Sequence, residues 1–152
     1  MPRNAHQKAV AMETLRRWLA DFEACVRRKD VEGARPLFHP EAYSFGSYAP
    51  VCRGLEELVE RQWKMTWPYI ENFRFDLEQL HAELSGDGLL AVAMLPWSSI
   101  GYHEDRTPFE RRGRVTIVLT RAAPDAPWLA SHTHYSLDPG TPPTARPGSG
   151  PI

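Results

Sequence analysis

A chain of 152 residues with 42% hydrophobic and 24% charged residues has the composition of one ordinary globular domain. Its formal net charge of -1 gives no electrostatic reason to expect a nucleic acid or an anionic membrane as a partner. No apolar run reaches the length of a membrane-spanning helix and the N-terminus lacks the apolar core of a secretory signal, so we expect a cytoplasmic protein.

The first half of the chain has the periodicity of helices. Apolar residues recur every three or four positions over residues 15–26, which predicts an amphipathic helix. Asp30 can cap a short second helix. A third helix is predicted to follow Gly54 and to end at Pro68, and its buried stripe would comprise Leu55, Leu58, Val59, Gln62, Trp63, Thr66 and Trp67.

From residue 73 onward the periodicity changes to two residues, the repeat of β-strands. Residues 73–77 and 115–119 alternate between apolar and polar side chains, whereas residues 89–95 are apolar on both faces. Helices followed by hairpin-connected strands predict an α+β fold, in which three N-terminal helices cover a cone-shaped, curved antiparallel sheet.

The last 14 residues differ from the rest of the chain in composition. Residues 139–152 are rich in Pro and Gly and can neither bury apolar area nor extend a sheet. We therefore predict a single domain over residues 1–138, followed by a disordered tail over residues 139–152.

The segment from Trp128 to Ser136 holds the candidate reactive side chains. Strict alternation would place Trp128, Ala130, His132 and His134 on one face of a strand. Two imidazoles that titrate near neutral pH could transfer protons, bind a metal or be satisfied core groups. The central hypothesis is that His132 and His134 point into a cavity and act there as catalytic acid and base.

The aromatic content favours a cavity between the helices and the sheet. Five Trp, five Tyr and six Phe exceed what so small a core needs for filling alone. Trp63 and Trp67 also have a competing interpretation, in which they only pack the third helix against the sheet. The predicted ligand-binding residues are Tyr43, Phe45, Trp63, Trp67, Trp97, Tyr102 and Arg114. Arg114 would meet a ligand carboxylate or steady developing negative charge.

A metal site is a further interpretation of the two neighbouring histidines. His132 and His134 could form half of such a site, but the other histidines are scattered and none has the spacing of a third ligand. We therefore expect neither a metal nor another cofactor.

Several short motifs appear in the order found in the SnoaL-like branch of the nuclear transport factor 2-like superfamily. They occupy residues 30–34, 38–43, 53–58, 113–116 and 128–136. The chain resembles this family, and its ending also resembles the association domain of calcium/calmodulin-dependent protein kinase II. The resemblance implies a cystatin-like topology. Members of the superfamily include isomerases, cyclases, dehydratases and non-catalytic association modules, so the fold does not select a function.

Two classes of function follow from these observations. In the first, a pocket for a small hydrophobic or aromatic molecule serves a cofactor-free isomerase, dehydratase or cyclase that uses histidine acid–base chemistry. The alternative is a non-catalytic ligand-binding or association module, and a metal-dependent enzyme using His132 and His134 is a third interpretation. Because apolar residues on a strongly bent sheet need covering, a homodimer formed through the sheet is also expected.

Overall fold

The computed structural model describes residues 5–144 of the chain. The first helix, α1 (Ala5–Arg28), buries the stripe predicted over residues 15–26. It is followed by Lys29, whose φ of 57° lies in the left-handed region and stops the helix. Asp30 then caps α2 (Val31–Ala34) by accepting a hydrogen bond from the Gly33 amide. Within the described residues, no helix is both long enough and apolar enough to span a membrane.

The third predicted helix forms, but it is not regular. It consists of α3 (Leu55–Leu58), a π-helical turn (Val59–Trp63) and α4 (Lys64–Thr66), which together we call the third helical segment. A π-helical turn widens the helix locally and often occurs at functional sites. All seven residues of the predicted stripe are buried, so the side that faces the sheet was correctly predicted.

A curved sheet of seven strands packs against these helices and confirms the predicted α+β class. The strands are β1 (Phe38–Phe45), β2 (Cys52–Arg53), β3 (Glu71–Phe75), β4 (His81–Leu84), β5 (Leu90–Tyr102), β6 (Pro108–Thr120) and β7 (Leu129–Leu137). Their order is β2-β1-β7-β6-β5-β3, with β4 also paired to β5. The sheet is mixed rather than wholly antiparallel because β1 runs parallel to β7. No hairpin joins those two strands, so none fixes their relative direction.

The sheet has two distinct faces. On the inner face, which the helices cover, Ala93, Leu95 and Trp97 of β5 lie opposite Ile117, Val115 and Gly113 of β6, and all are buried. The intervening residues form the outer face, where Val92 lies opposite Val118 and Met94 opposite Thr116. These outer residues are half-buried.

A β-bulge interrupts the alternation in β7. Val118 lies opposite His132, but its neighbour Leu119 lies opposite Ala130, so Ser131 is an extra residue. Ala130 therefore stays on the inner face, whereas His132 and His134 lie on the outer face. The predicted common face for residues 128–136 is wrong, because one bulged residue reverses the direction of the side chains that follow it.

The chain continues along the end of the sheet after β7. The Asp138 amide donates to the Arg112 carbonyl, and the buried Thr144 accepts a hydrogen bond from the Tyr102 amide at 3.0 Å. The part of the predicted tail from residue 139 to Thr144 thus packs on the sheet. The prediction for residues 145–152 lies outside the described residues.

Candidate functional site

A cavity opens between α1, the third helical segment and the inner face of the sheet. Its volume is about 40 Å³. The cavity is therefore a narrow slot. Its aromatic walls are formed by Phe22, Trp63, Trp67, Phe73, Trp97 and Tyr135.

The rings of these walls contact one another and hold each other in place. Trp63 and Trp67 stack with centroids 4.8 Å apart and an angle of 18° between their planes. On the opposite wall, which the sheet forms, the centroid of the Trp97 ring lies 5.9 Å from the centroid of the Phe73 ring and 5.9 Å from that of the Tyr135 ring. Such pairs are mutually stabilising, so the slot has walls that are apolar and firmly packed.

Polar atoms in the walls have unused hydrogen-bonding capacity. Gln62 Oε1, Thr66 Oγ1 and Trp97 Nε1 are buried and have no hydrogen-bond partner among the described residues, and all three residues line the cavity. Buried polar atoms in native proteins are almost always paired, so each of these needs a physical explanation. A molecule seated in the slot would provide partners.

A cation also lies in the cavity wall. Arg111 is only 4% exposed, and its guanidinium Cζ is 4.7 Å from the centroid of the Trp97 ring. Its Nη2 donates to Ser47 Oγ at 2.8 Å, and its Nη1 donates to Ser99 Oγ at 3.4 Å. These contacts fix the guanidinium at one place beside the aromatic slot.

Tyr135 adds a phenol to the same wall. Burial raises the pKa of Tyr135 well above its ordinary value, and the nearby charge of Arg111 acts in the opposite direction. The phenol is therefore protonated at neutral pH and can donate a hydrogen bond into the cavity.

His132 and His134 do not line this cavity. His132 Nδ1 is hydrogen-bonded to the Tyr43 carbonyl, and the Phe45 ring stands edge-on to both imidazoles, 5.2 Å from His132 and 5.1 Å from His134. His134 is exposed on the outer face. Their predicted inward orientation is wrong because of the bulge at Ser131, and a catalytic role for them has no support from the geometry.

The predicted ligand-binding residues fall into two groups. Trp63, Trp67 and Trp97 line the cavity. Tyr43 and Phe45 pair with His132 and His134 and share the outer face. Tyr102, at the end of β5, also lies outside the cavity lining.

Arg114 is likewise outside the cavity. It lies on the outer face, where its Nε donates to Ser136 Oγ at 3.1 Å and lies 3.6 Å from Asp138 Oδ1. Its placement in the pocket was wrong because Arg114 alternates with the inward-pointing Val115 and so faces outward with Thr116.

Sequence reasoning missed Arg111, Tyr135 and the polar pair Gln62 and Thr66 as site residues. The alternation in β6 contained a usable signal, because stepping back in twos from Val115 through Gly113 leads to Arg111 on the inner face. Gln62 and Thr66 were already in the predicted helical stripe, where polar residues among apolar ones indicate a wall that is not wholly dry.

The histidines of the outer face also lack the surroundings of a metal site. Among residues 5–144, no group of three or more His, Cys, Asp or Glu side chains is arranged to hold a metal ion. His132 is occupied at Nδ1 by the Tyr43 carbonyl. The metal interpretation of His132 and His134 therefore gains no third ligand from the described fold.

Comparison with solved structures identifies the same architecture in proteins of low sequence identity. A nuclear transport factor 2-like superfamily protein from Salmonella enterica is 19% identical, covers 94% of this chain and 99% of its own, and superposes with a TM-score of 0.72. A ketosteroid isomerase-like protein from Erwinia carotovora atroseptica is 10% identical, with coverages of 82% and 94% and a TM-score of 0.69.

A third structure, from Xanthomonas campestris, is named after the calcium/calmodulin-dependent protein kinase II association domain. It is 16% identical, with coverages of 79% and 82% and a TM-score of 0.64. At these identities the likeness shows the fold alone, and the fold is one that carries different functions.

Sequence comparison assigns the family. No curated protein matches the chain. A model of the SnoaL-like domain matches residues 15–139, which include α1 from Leu15 onward and every strand of the sheet. The chain therefore belongs to the SnoaL-like domain family.

Proposed function

We propose that this protein binds a small, flat, ring-bearing molecule in the slot between the third helical segment and the inner face. The observation that carries this proposal is the coincidence of unpaired buried polar atoms with the aromatic cavity. Gln62 Oε1, Thr66 Oγ1 and Trp97 Nε1 all belong to residues that line the slot. Ligand sites typically combine mostly apolar walls with a few convergent polar groups, which is the composition found here.

The shape of the slot restricts the size of the ligand. The cavity volume is only about 40 Å³, which is too small for several fused rings. Trp63 and Trp67, which stack on each other, line the helical side of the slot. Aromatic walls favour an aromatic ligand over a branched aliphatic one, because ring pairs contribute beyond the area that they bury.

The lining favours binding over acid–base catalysis. Among the described residues that line the slot, none is His, Asp or Glu, the side chains that most often transfer protons at neutral pH. The enzymatic hypothesis relied on His132 and His134, which face away from the slot. Of the functions considered from the sequence, the ligand-binding module is therefore the better supported.

The proposal is tested by filling the slot. Thr66→Leu adds volume inside the cavity and removes an unpaired hydroxyl, so the protein is expected to fold while binding weakens by roughly tenfold or more. Isothermal titration with benzoate and with benzamide measures the effect. Thr116→Leu, on the outer face, is the matched control and should bind as the unaltered protein does.

Two results would contradict the proposal. If neither benzoate nor benzamide binds the unaltered protein, the slot is not a site for ring-bearing molecules of this size. If Thr66→Leu binds both probes as tightly as Thr116→Leu does, the ligand lies elsewhere on the protein.

We propose in addition that the outer face pairs with the outer face of a second copy. Its centre is apolar, with Val92, Met94 and Val118 half-buried and Leu90 40% exposed. One side of this face carries Arg53, and the opposite side carries Glu83. A two-fold axis along the strands would bring each side onto the other, so Arg53 of one copy would face the partner's Glu83.

A further inference from the structure

Other buried indoles of this fold donate hydrogen bonds, but the Trp97 indole in the slot does not. The Trp18 Nε1 donates to the Leu37 carbonyl at 3.0 Å. The Trp128 Nε1 donates to Thr14 Oγ1 at 2.9 Å. Trp97 is only 2% exposed, yet its Nε1 has no hydrogen-bond partner among the described residues. Because an indole N–H can only donate, this wall of the slot contains a buried donor that needs an acceptor.

The hydroxyl of Thr66 is unpaired in the same way. A threonine inside a helix can donate to a backbone carbonyl three or four residues earlier, as Thr14 does to the Ala11 carbonyl at 2.8 Å. Thr66 Oγ1 has no such partner among residues 5–144. The π-helical turn Val59–Trp63 interrupts the regular helix just before α4, which contains Thr66. Its buried hydroxyl is therefore left to donate or accept inside the slot.

Gln62 gives the slot an acceptor. The residue is 7% exposed, and no described residue donates a hydrogen bond to its Oε1. A carboxamide oxygen can only accept, so it needs a donor, and leaving it buried and unpaired is costly. A ligand that satisfies the slot must therefore bring a donor for Gln62 and an acceptor for Trp97.

These two groups lie on different walls of the slot. Gln62 belongs to the third helical segment, and Trp97 belongs to β5 of the sheet. A ligand between the walls therefore needs its donor and its acceptor on separate atoms. An amide has this arrangement, because its N–H donates, its C=O accepts, and both lie in one plane that suits a narrow slot. A phenol, in contrast, has both functions on a single oxygen.

We propose that the ligand is an aromatic amide, which is a single ring that carries a carboxamide or contains one as a cyclic amide. Its N–H donates to Gln62 Oε1, and its carbonyl accepts from Trp97 Nε1. Thr66 Oγ1 can bond to either end, because a hydroxyl both donates and accepts. This inference rests on the proposed function, since it specifies the chemical class of the molecule that the slot binds.

The inference is tested with two probes of nearly the same shape. Benzamide and acetophenone share a ring and a carbonyl, but the amide nitrogen of benzamide is a methyl group in acetophenone. Isothermal titration gives the ratio of the two affinities for each variant, and comparing ratios between variants cancels the different hydration of the probes in water. Gln62→Met removes the acceptor and keeps the length of the side chain. The ratio of benzamide to acetophenone affinity should fall roughly tenfold in this variant, because only benzamide has an N–H bond to lose.

Further variants separate the donor site from the acceptor site. Gln79→Met, the same substitution at an exposed position, is the matched control and should keep the ratio within about twofold. Trp97→Phe removes the indole N–H, which serves the carbonyl that both probes share. It should weaken both probes and leave their ratio within about twofold. If Gln62→Met fails to fold, Gln62→Leu removes the same acceptor and should lower the ratio in the same way.

The outcomes separate this inference from the proposed function. If both probes bind and Gln62→Met leaves their ratio unchanged, the amide inference is overturned and the aromatic slot stands. If Gln62→Met weakens the binding of phenol but not that of benzamide, the group that meets Gln62 is a hydroxyl, which also overturns the inference. Absence of binding by benzamide, acetophenone and phenol would overturn both proposals.

Discussion

At the scale of single residues, Gly113 determines where the Trp97 indole can lie. The two residues face each other on the inner face of β5 and β6. A Cβ at position 113 would come within 2.5 Å of the Trp97 ring and within 1.9 Å of the Ser136 carbonyl oxygen. The missing side chain therefore lets the indole lie across β6, where its ring contacts the Arg111 guanidinium.

Replacing this glycine should damage both the fold and the slot. Gly113→Ala is expected to lower the free energy of unfolding by about 2 kcal/mol or more, because the added methyl group meets backbone that cannot easily move. Urea unfolding followed by fluorescence measures the change. Gly86→Ala, whose added methyl would meet nothing within 4 Å, is the control and should change stability by about 0.5 kcal/mol at most. Equal stability of the two variants would contradict the argument.

The residue scale also shows what strand alternation could and could not predict. Alternation correctly predicted the inward side of β6 at Val115, Ile117 and Leu119, and carried backward it leads to Arg111. The prediction chose Arg114 instead because it shares a face with Thr116, although that face is the outer one. The error lay in assuming which face the cavity occupies.

At the scale of elements, the bulge in β7 decides which side chains reach the slot. The extra residue Ser131 lies on the outer side, where its hydroxyl is 2.8 Å from Thr120 Oγ1. Beyond it, Thr133 and Tyr135 point inward and the two histidines point outward. Because a bulge depends on pairing with the neighbouring strands, the alternating sequence of residues 128–136 does not predict it.

Removing the bulged residue should be tolerated. Deletion of Ser131 joins Ala130 directly to His132, and these two already lie opposite neighbouring residues of β6, so Ala130 and Tyr135 both stay inward. We expect a cooperative thermal melt, followed by circular dichroism, with a midpoint only a few degrees lower, because the hydrogen bond between Ser131 and Thr120 is lost. Deletion of Ile117, in the regular part of β6, reverses the side chains on one side of the deletion and should lower the midpoint by more than about 10 °C or abolish cooperative unfolding. A Ser131 deletion that melts like the Ile117 deletion would contradict this account of the bulge.

The helical elements were easier to predict than their internal geometry. The stripes of α1 and of the third helical segment depend only on the period of the α-helix, and both are buried as expected. The π-helical turn from Val59 to Trp63 was not predicted, because it reflects packing of the stripe against the sheet rather than any residue preference. It brings Gln62 and Trp63 into the cavity wall.

At the scale of the whole molecule, the two faces of the sheet have separate roles in this account. The inner face contributes Trp97, Arg111 and Tyr135 to the slot, and the outer face holds the histidines above an apolar centre. The order of helices and strands was enough to predict the α+β class, and the resemblance carried by the short motifs indicated the family. Which face of the sheet lines the slot was not predictable, since both faces carry apolar residues in the sequence.

The proposed pairing of outer faces makes the assembly state sensitive to one substitution. Val118→Asp places a charge at the centre of the outer face and should convert a dimer to a monomer in sedimentation experiments at micromolar concentration. Val10→Asp, on the exposed side of α1, should leave the dimer intact. A monomer for the unaltered protein under these conditions would contradict the pairing.

The location of a bound aromatic molecule tests the central claim most directly. Crystals soaked in 4-bromobenzoate and measured at the bromine absorption edge would show the ring as an anomalous peak. We expect a peak in the slot beside Trp63 and Trp67. A peak found only on the outer face beside His132 and His134 would contradict the proposed site.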